Sequence, residues 1–146
     1  MPRSGRFIIL LIFCLTLFIN SCNEKSHYRE VRERDGLIVL DITGLKDTEP
    51  LFYSYRTDKK VVDFFVIKIG DRIESYLDAC MKCYPHKMGF RVDGFYLVCK
   101  YCNVRYPLDR LKEGAGSCYP IPLKGEVMKN QYVIKARLLQ NGAKYF

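Results

Sequence analysis

The chain contains no tryptophan and only two histidines, His27 and His86. With so little imidazole, no serine–histidine–acid constellation is available, since His27 sits in a polar stretch with nothing to bury. A c-type haem site needs histidine directly after the second cysteine of a Cys-x2-Cys pair, and Tyr84 stands there. Gly114 and Gly116 do not make a loop long enough to cradle a phosphate. Lysine and arginine are never bunched with interleaved aromatics, which argues against a nucleic-acid partner. No two arginines are adjacent near the start, so there is no twin-arginine export signal. No βαβ pattern surrounds either Cys-x2-Cys pair, as a thioredoxin-like motif would require. These absences point away from a hydrolytic enzyme.

What the chain has is a basic balance, an apolar start and seven cysteines. Its 146 residues, 49% of them hydrophobic, suffice for one domain with a real core plus a leader. The formal charge is +8; without Arg3 and Arg6 it is +6, spread along the chain as a solvated surface would be. Those two arginines precede an apolar run from Phe7 to Ile19, too short for a membrane span of about 20 residues and well suited to a signal peptide. Ile19-Asn20-Ser21-Cys22 is similar to a bacterial lipobox, in which the cysteine is lipidated and becomes the new N-terminus. The expectation is a leader over 1–21, lipidation at Cys22, and a lipoprotein of the bacterial cell envelope facing the periplasm or the exterior. An uncleaved anchor and a soluble secreted form are the alternatives.

Residues 22–36 are polar and charged and read as a tether. Strand-like runs follow at 37–42, 51–56, 61–69 and 72–77, each rich in β-branched and aromatic residues. Gly70-Asp71 and Asp93-Gly94 are hairpin signals. Pro120 and Pro122 forbid helix in "YPIPL", a closing strand is expected within 130–139, and only Leu108–Lys112 invites a short helical turn. The predicted fold is a small antiparallel domain over 37–140, all-β or β-rich α+β, built around a two-knuckle metal ribbon.

That ribbon rests on Cys80-x2-Cys83-x15-Cys99-x2-Cys102, a spacing typical of four-thiolate metal sites. A turn over two intervening residues points both sulfurs at one centre and aims backbone N–H groups at them. Asn103, directly after the second pair, tolerates the left-handed conformation such a turn needs; Tyr84-Pro85 after the first pair suits it less. Cys118, in the small-residue loop "GAGSCYP", is either a fifth ligand or a spare thiol beside the site. His86 is either a substitute ligand or an exposed loop histidine. Structural disulfides and a thiol–disulfide redox couple are the competing readings, although five thiols cannot all pair within one chain.

With these residues in view, the chain resembles the FtrD-like membrane iron–sulfur protein domain family. The likeness is carried by Asp78-Ala79-Cys80, Gly89-Phe90, Val98-Cys99 and its Cys-x2-Cys turn, and Cys118 followed by Tyr119-Pro120-Ile121-Pro122-Leu123, with all five cysteines in order. Ser117 and Tyr119 depart from the family's usual Gly and Asn. The resemblance implies an iron–sulfur cluster held by these cysteines, electron transfer or metal handling linked to membrane iron transport, and an iron permease or other redox partner. An exported chain without a twin-arginine signal crosses the membrane unfolded, so its centre would form outside. Zinc, which needs no assembly and suits four thiolates, is therefore the alternative, and a structural zinc-ribbon binding module the alternative function.

Overall fold

The β-branched and aromatic runs at 51–56 and 61–69 become strands over those same residues. The computed structural model of the chain describes residues 28–114 and 116–146. Its strands are β1 (Arg29–Val31), β2 (Leu37–Asp41), β3 (Leu51–Arg56), β4 (Val61–Ile69), β5 (Arg72–Cys80), β6 (Phe90–Asp93), β7 (Tyr96–Cys99), β8 (Arg105–Pro107), β9 (Pro120–Leu123), β10 (Gly125–Met128) and β11 (Gln131–Lys135). One α-helix, α1 (Ala136–Gly142), follows β11, and single 3-10 turns lie at Tyr84–His86, Leu111–Glu113 and Ala143–Tyr145. The strands form a five-stranded sheet in the order β1-β3-β4-β5-β9 and two three-stranded sheets, β10-β11-β2 and β6-β7-β8. Apart from the parallel β1–β3 pair, every named strand pair is antiparallel. The fold is β-rich, as the sequence predicts.

Successive side chains of a strand point to opposite faces, and here this divides the interior in two. Val62, Phe64 and Val66 of β4 and Leu77 and Ala79 of β5 pack with Ile38, Leu40, Tyr132 and Ile134 of the β10-β11-β2 sheet and with Leu139 of α1. The other face carries Phe65, Ile67, Tyr76 and Cys80, which meet Phe90, Leu97, Cys99 and Tyr106 of the β6-β7-β8 sheet. The parity of β5 thus puts Cys80 on the face that the β6–β7 hairpin covers.

Gly70-Asp71 joins β4 to β5, with Ile69 opposite Arg72 and Gly70 at a φ of +60°. The prolines of β9 are tolerated because β9 is an edge strand, where a missing N–H can face away from the sheet.

Four expectations need adjustment. The hairpin signal at Asp93-Gly94 is displaced by one residue: Asp93 pairs with Tyr96, leaving Gly94-Phe95 as the turn. β5 runs to Cys80, past the expected end at 77, because pairing with β9 extends it. The closing strand ends at Lys135; Ala136-Arg137-Leu138-Leu139-Gln140 are strong helix formers and turn into α1, burying Ala136 and Leu139. The polar stretch expected as a tether over 22–36 is folded from Tyr28 onward, and the packed chain reaches past 140 to Phe146, which lies against the first core. β1 joins the sheet through backbone bonds to β3, which composition does not reveal. The leader, Cys22 and residues 23–27 lie outside the described residues.

Candidate metal centre

β5 delivers Cys80 at its last position, and the chain turns at once: the Cys83 N–H donates to the Cys80 carbonyl at 3.1 Å. β7 delivers Cys99 in the same way, and the Asn103 N–H donates to the Cys99 carbonyl at 2.9 Å. Asn103 has a φ of +58°, as predicted for the residue closing this knuckle. The first turn closes differently. Tyr84–His86 form a 3-10 turn with Pro85 inside it, and the left-handed residue is Lys87, at φ +53°. The unsuitable Tyr84-Pro85 is accommodated by moving the left-handed position four residues past Cys83.

The two turns meet across the second core. Sulfurs of Cys80, Cys83 and Cys99 lie within 4.8 Å of one another, as do those of Cys83, Cys102 and Cys118, so Cys83 belongs to both trios. Cys80, Cys83 and Cys99 are buried; Cys102 and Cys118 are partly exposed, and all five are free thiols. The arrangement therefore brings together every described cysteine. Cys118 arrives through β9: Pro120 pairs with Cys80, and the Met81 N–H donates to the Tyr119 carbonyl at 3.0 Å. His86 is outside both trios, exposed, with its ring stacked on Tyr101 at 3.5 Å between centroids.

Protonation in this cluster follows from what surrounds each sulfur. Burial opposes the Cys80 thiolate, but the N–H groups of Cys83 and Lys82, with the Cys83 thiol and the Tyr106 hydroxyl, outweigh it and hold the thiol below its ordinary range. Burial likewise opposes ionisation of Cys102, and the Val104 N–H with the neighbouring thiols again wins. Cys99 stays above the ordinary value because burial exceeds the help of the Cys102 and Tyr101 N–H groups. Burial and the charge or hydrogen bonding of neighbouring sulfurs also push Cys83 and Cys118 up. Five thiolates cannot all carry charge in one small apolar space by themselves. A metal ion held by these sulfurs would supply the missing counter-charge and would favour loss of the remaining thiol protons. The donor set, soft sulfur with backbone N–H groups aimed at it, fits thiolate-bound iron–sulfur or zinc chemistry.

Three buried side chains support the site without offering it a sulfur. Asp78, two residues before Cys80 and 5% exposed, accepts the Phe90 N–H at 2.8 Å and the Tyr28 hydroxyl at 2.6 Å. Burial raises its carboxyl to about 6 against these two bonds. Gly89, at φ +66°, passes so close that an added Cβ would stand 2.3 Å from Asp78 Oδ2. Glu74 is buried too, and accepts the Tyr76 hydroxyl at 2.6 Å. Lys112 Nζ stands 2.8 Å from its other oxygen as an ion pair off hydrogen-bond alignment, tying the loop before Cys118 to β5. The signal that finds such residues is parity: a charged residue within a strand's buried run needs an internal partner. Tyr106 is the third: its buried hydroxyl lies 4.0 Å from Cys80 Sγ. Burial, then the charge of Cys80, raises its pKa and keeps it protonated.

Beside the cluster a cavity of about 260 Å3 is lined by Tyr28, Asp78, Cys80, Cys83, Cys99 and Met88, among others. Among the described residues no helix is long and apolar enough to cross a membrane. Compared with known proteins, residues 45–146 match a family model described as membrane iron-sulfur containing protein, FtrD-like. No curated protein and no solved structure matches the chain.

Proposed function

The chain belongs to the FtrD-like family of membrane iron–sulfur proteins, and from that premise we propose that Cys80, Cys83, Cys99, Cys102 and Cys118 hold an iron–sulfur centre that serves membrane iron transport by carrying electrons. The observation that supports this reading is the pair of sulfur trios joined at Cys83. A single tetrahedral zinc takes four ligands, and five converging thiols exceed that need. When bound, such a cluster supplies one-electron exchange. The residues of the chain bury three of the sulfurs, direct the N–H groups of Lys82, Cys83, Tyr101, Cys102 and Val104 at the thiolates, and keep the Tyr106 hydroxyl beside Cys80. The N–H and hydroxyl contacts favour the more negative, reduced state, burial opposes it, and the balance tunes the potential.

The proposed placement is the outer side of a bacterial membrane, with lipid on Cys22 as the anchor and an iron permease or a redox protein as the partner. The test is a reductive titration of the anaerobically purified chain, followed in the visible range. Reversible bleaching, with electrons passed on to an added acceptor, is expected. A protein without colour and without redox response refutes the reading and leaves a structural zinc site. The separate observation favouring zinc is the apolar run from Phe7 to Ile19, which, read as a leader, suits export of an unfolded chain that must acquire its centre afterwards.

A further inference from the structure

The fold begins nearer to Cys22 than the composition of the intervening segment suggests. Tyr28 is already held in place: its hydroxyl donates to Asp78 and its ring meets Phe52 edge-on, 5.4 Å between centroids. Six Cα-to-Cα steps separate Cys22 from Tyr28, a reach of about 20 Å at full extension. A domain of this length has a radius of gyration near ~13 Å, hence a diameter of about 35 Å. A leash shorter than the body it holds cannot let Tyr28 turn to the side away from the bilayer.

Tyr28 lines the cavity beside the cysteines, and the same cavity is bordered by Lys87, Met88, Lys100 and Tyr101. Met88 is 47% exposed and Tyr101 49%, large apolar groups left in water, and both lysines are exposed around them. The two acids of the cavity are engaged inside, Asp63 by the Ser54 hydroxyl and Asp78 by Tyr28 and Phe90. The rim is therefore cationic at its edge and apolar at its centre, which matches anionic headgroups over acyl chains.

We propose that this rim is the face on which the domain rests against an anionic lipid surface, so that the cavity leading to Cys80, Cys83 and Cys99 opens toward the bilayer. The proposal rests on the lipid-anchor reading given above. It places the centre beside the membrane rather than at the outer pole of the domain, where a partner embedded in that membrane could reach it.

The absence of tryptophan makes the orientation measurable. Met88→Trp puts one indole on the rim, and Val39→Trp puts one on a different exposed apolar patch, on β2, where Val39 is 45% exposed. Each full-length lipidated variant is reconstituted on phosphatidylglycerol–phosphatidylcholine vesicles with brominated or ordinary acyl chains, and emission is compared between the two. The expected result is loss of about half or more of the Met88→Trp emission and less than about a tenth of the Val39→Trp emission, given burial of the apolar groups ~5–10 Å into the interface. Adding Lys87→Asn and Lys100→Asn, or replacing the anionic lipid with phosphatidylcholine, should restore most of the emission. Protein that floats with vesicles while Met88→Trp stays unquenched overturns the orientation and leaves the anchor intact; the rim then faces water or another protein. Quenching of Val39→Trp instead overturns it as well. Failure of the chain to float at all removes the anchor and this proposal together.

Discussion

Asp78 and Phe90 are joined by a 2.8 Å hydrogen bond from the Phe90 backbone N–H to Oδ1, which fastens the start of the β6–β7 hairpin to the strand that ends in Cys80. The bond links the two halves of the cysteine site without touching a sulfur. Asp78→Ala leaves the buried Phe90 N–H and Tyr28 hydroxyl without acceptors and should cost about 1–3 kcal/mol in chemical denaturation. Gly89→Ala is costly twice over, through its positive φ and through the collision with Asp78 Oδ2. In the Asp78→Ala background the collision is gone, so Gly89→Ala should cost less there than in the parent chain. Equal costs in both backgrounds would show that the two residues are not coupled.

Tyr106 is the group beside Cys80 whose loss should change redox behaviour with little change in fold. Tyr106→Phe removes the hydroxyl 4.0 Å from Sγ and keeps the ring. A weak donor of roughly 0.5–1 kcal/mol corresponds to a fall of about 20–40 mV in the potential of a one-electron centre. An unchanged potential in equilibrium titration would mean that the hydroxyl does not reach the sulfur.

The Glu74–Lys112 pair makes the hold on the Cys118 loop depend on acid. Burial works against the Glu74 carboxylate, but Lys112, Tyr76 and Arg72 prevail and set its pKa below the usual 4.5. A carboxyl depressed in the fold stabilises it above the unfolded value, and that contribution disappears as pH falls through the folded one. The stability advantage of the parent chain over Glu74→Gln should thus be full near neutrality and shrink below about pH 4.5. A difference constant across that range would contradict the pairing.

Cys118 and His86 should part company when each is replaced. Cys118→Ser removes one sulfur of the trio it forms with Cys83 and Cys102 and should lower the metal retained after dialysis against chelator. His86→Ala loses only the stack on Tyr101 and should retain the parent's metal. Loss of metal in His86→Ala, with none in Cys118→Ser, would reverse the two assignments.

Much of this was readable in the chain, for physical reasons that differ by element. β3 and β4 coincide with the expected 51–56 and 61–69 because strong local preference and turn residues agree there. The second knuckle was legible down to Asn103, since only the left-handed tolerance of one residue was needed. β1 was not legible, because two charged residues and a single valine joined an edge by their backbones. The helix after Lys135 was hidden by the β-branched run before it. For Cys118 the spacing left ligand and bystander open; its place depends on β9 pairing with β5, a contact between residues about 40 positions apart. Asp78 and Glu74 could not be assigned partners for the same reason: Tyr28, Phe90 and Lys112 are brought to them by the fold.

The central claim is that the five sulfurs hold an iron–sulfur centre, and metal and acid-labile sulfide analysis of the full chain, purified without oxygen and without affinity-tag metal, tests it most directly. Iron accompanied by sulfide, lost together when Cys80 or Cys99 is changed to serine, is the predicted result. Zinc at one ion per chain, with neither sulfide nor iron, would contradict it and make the cysteines a clasp that holds the fold.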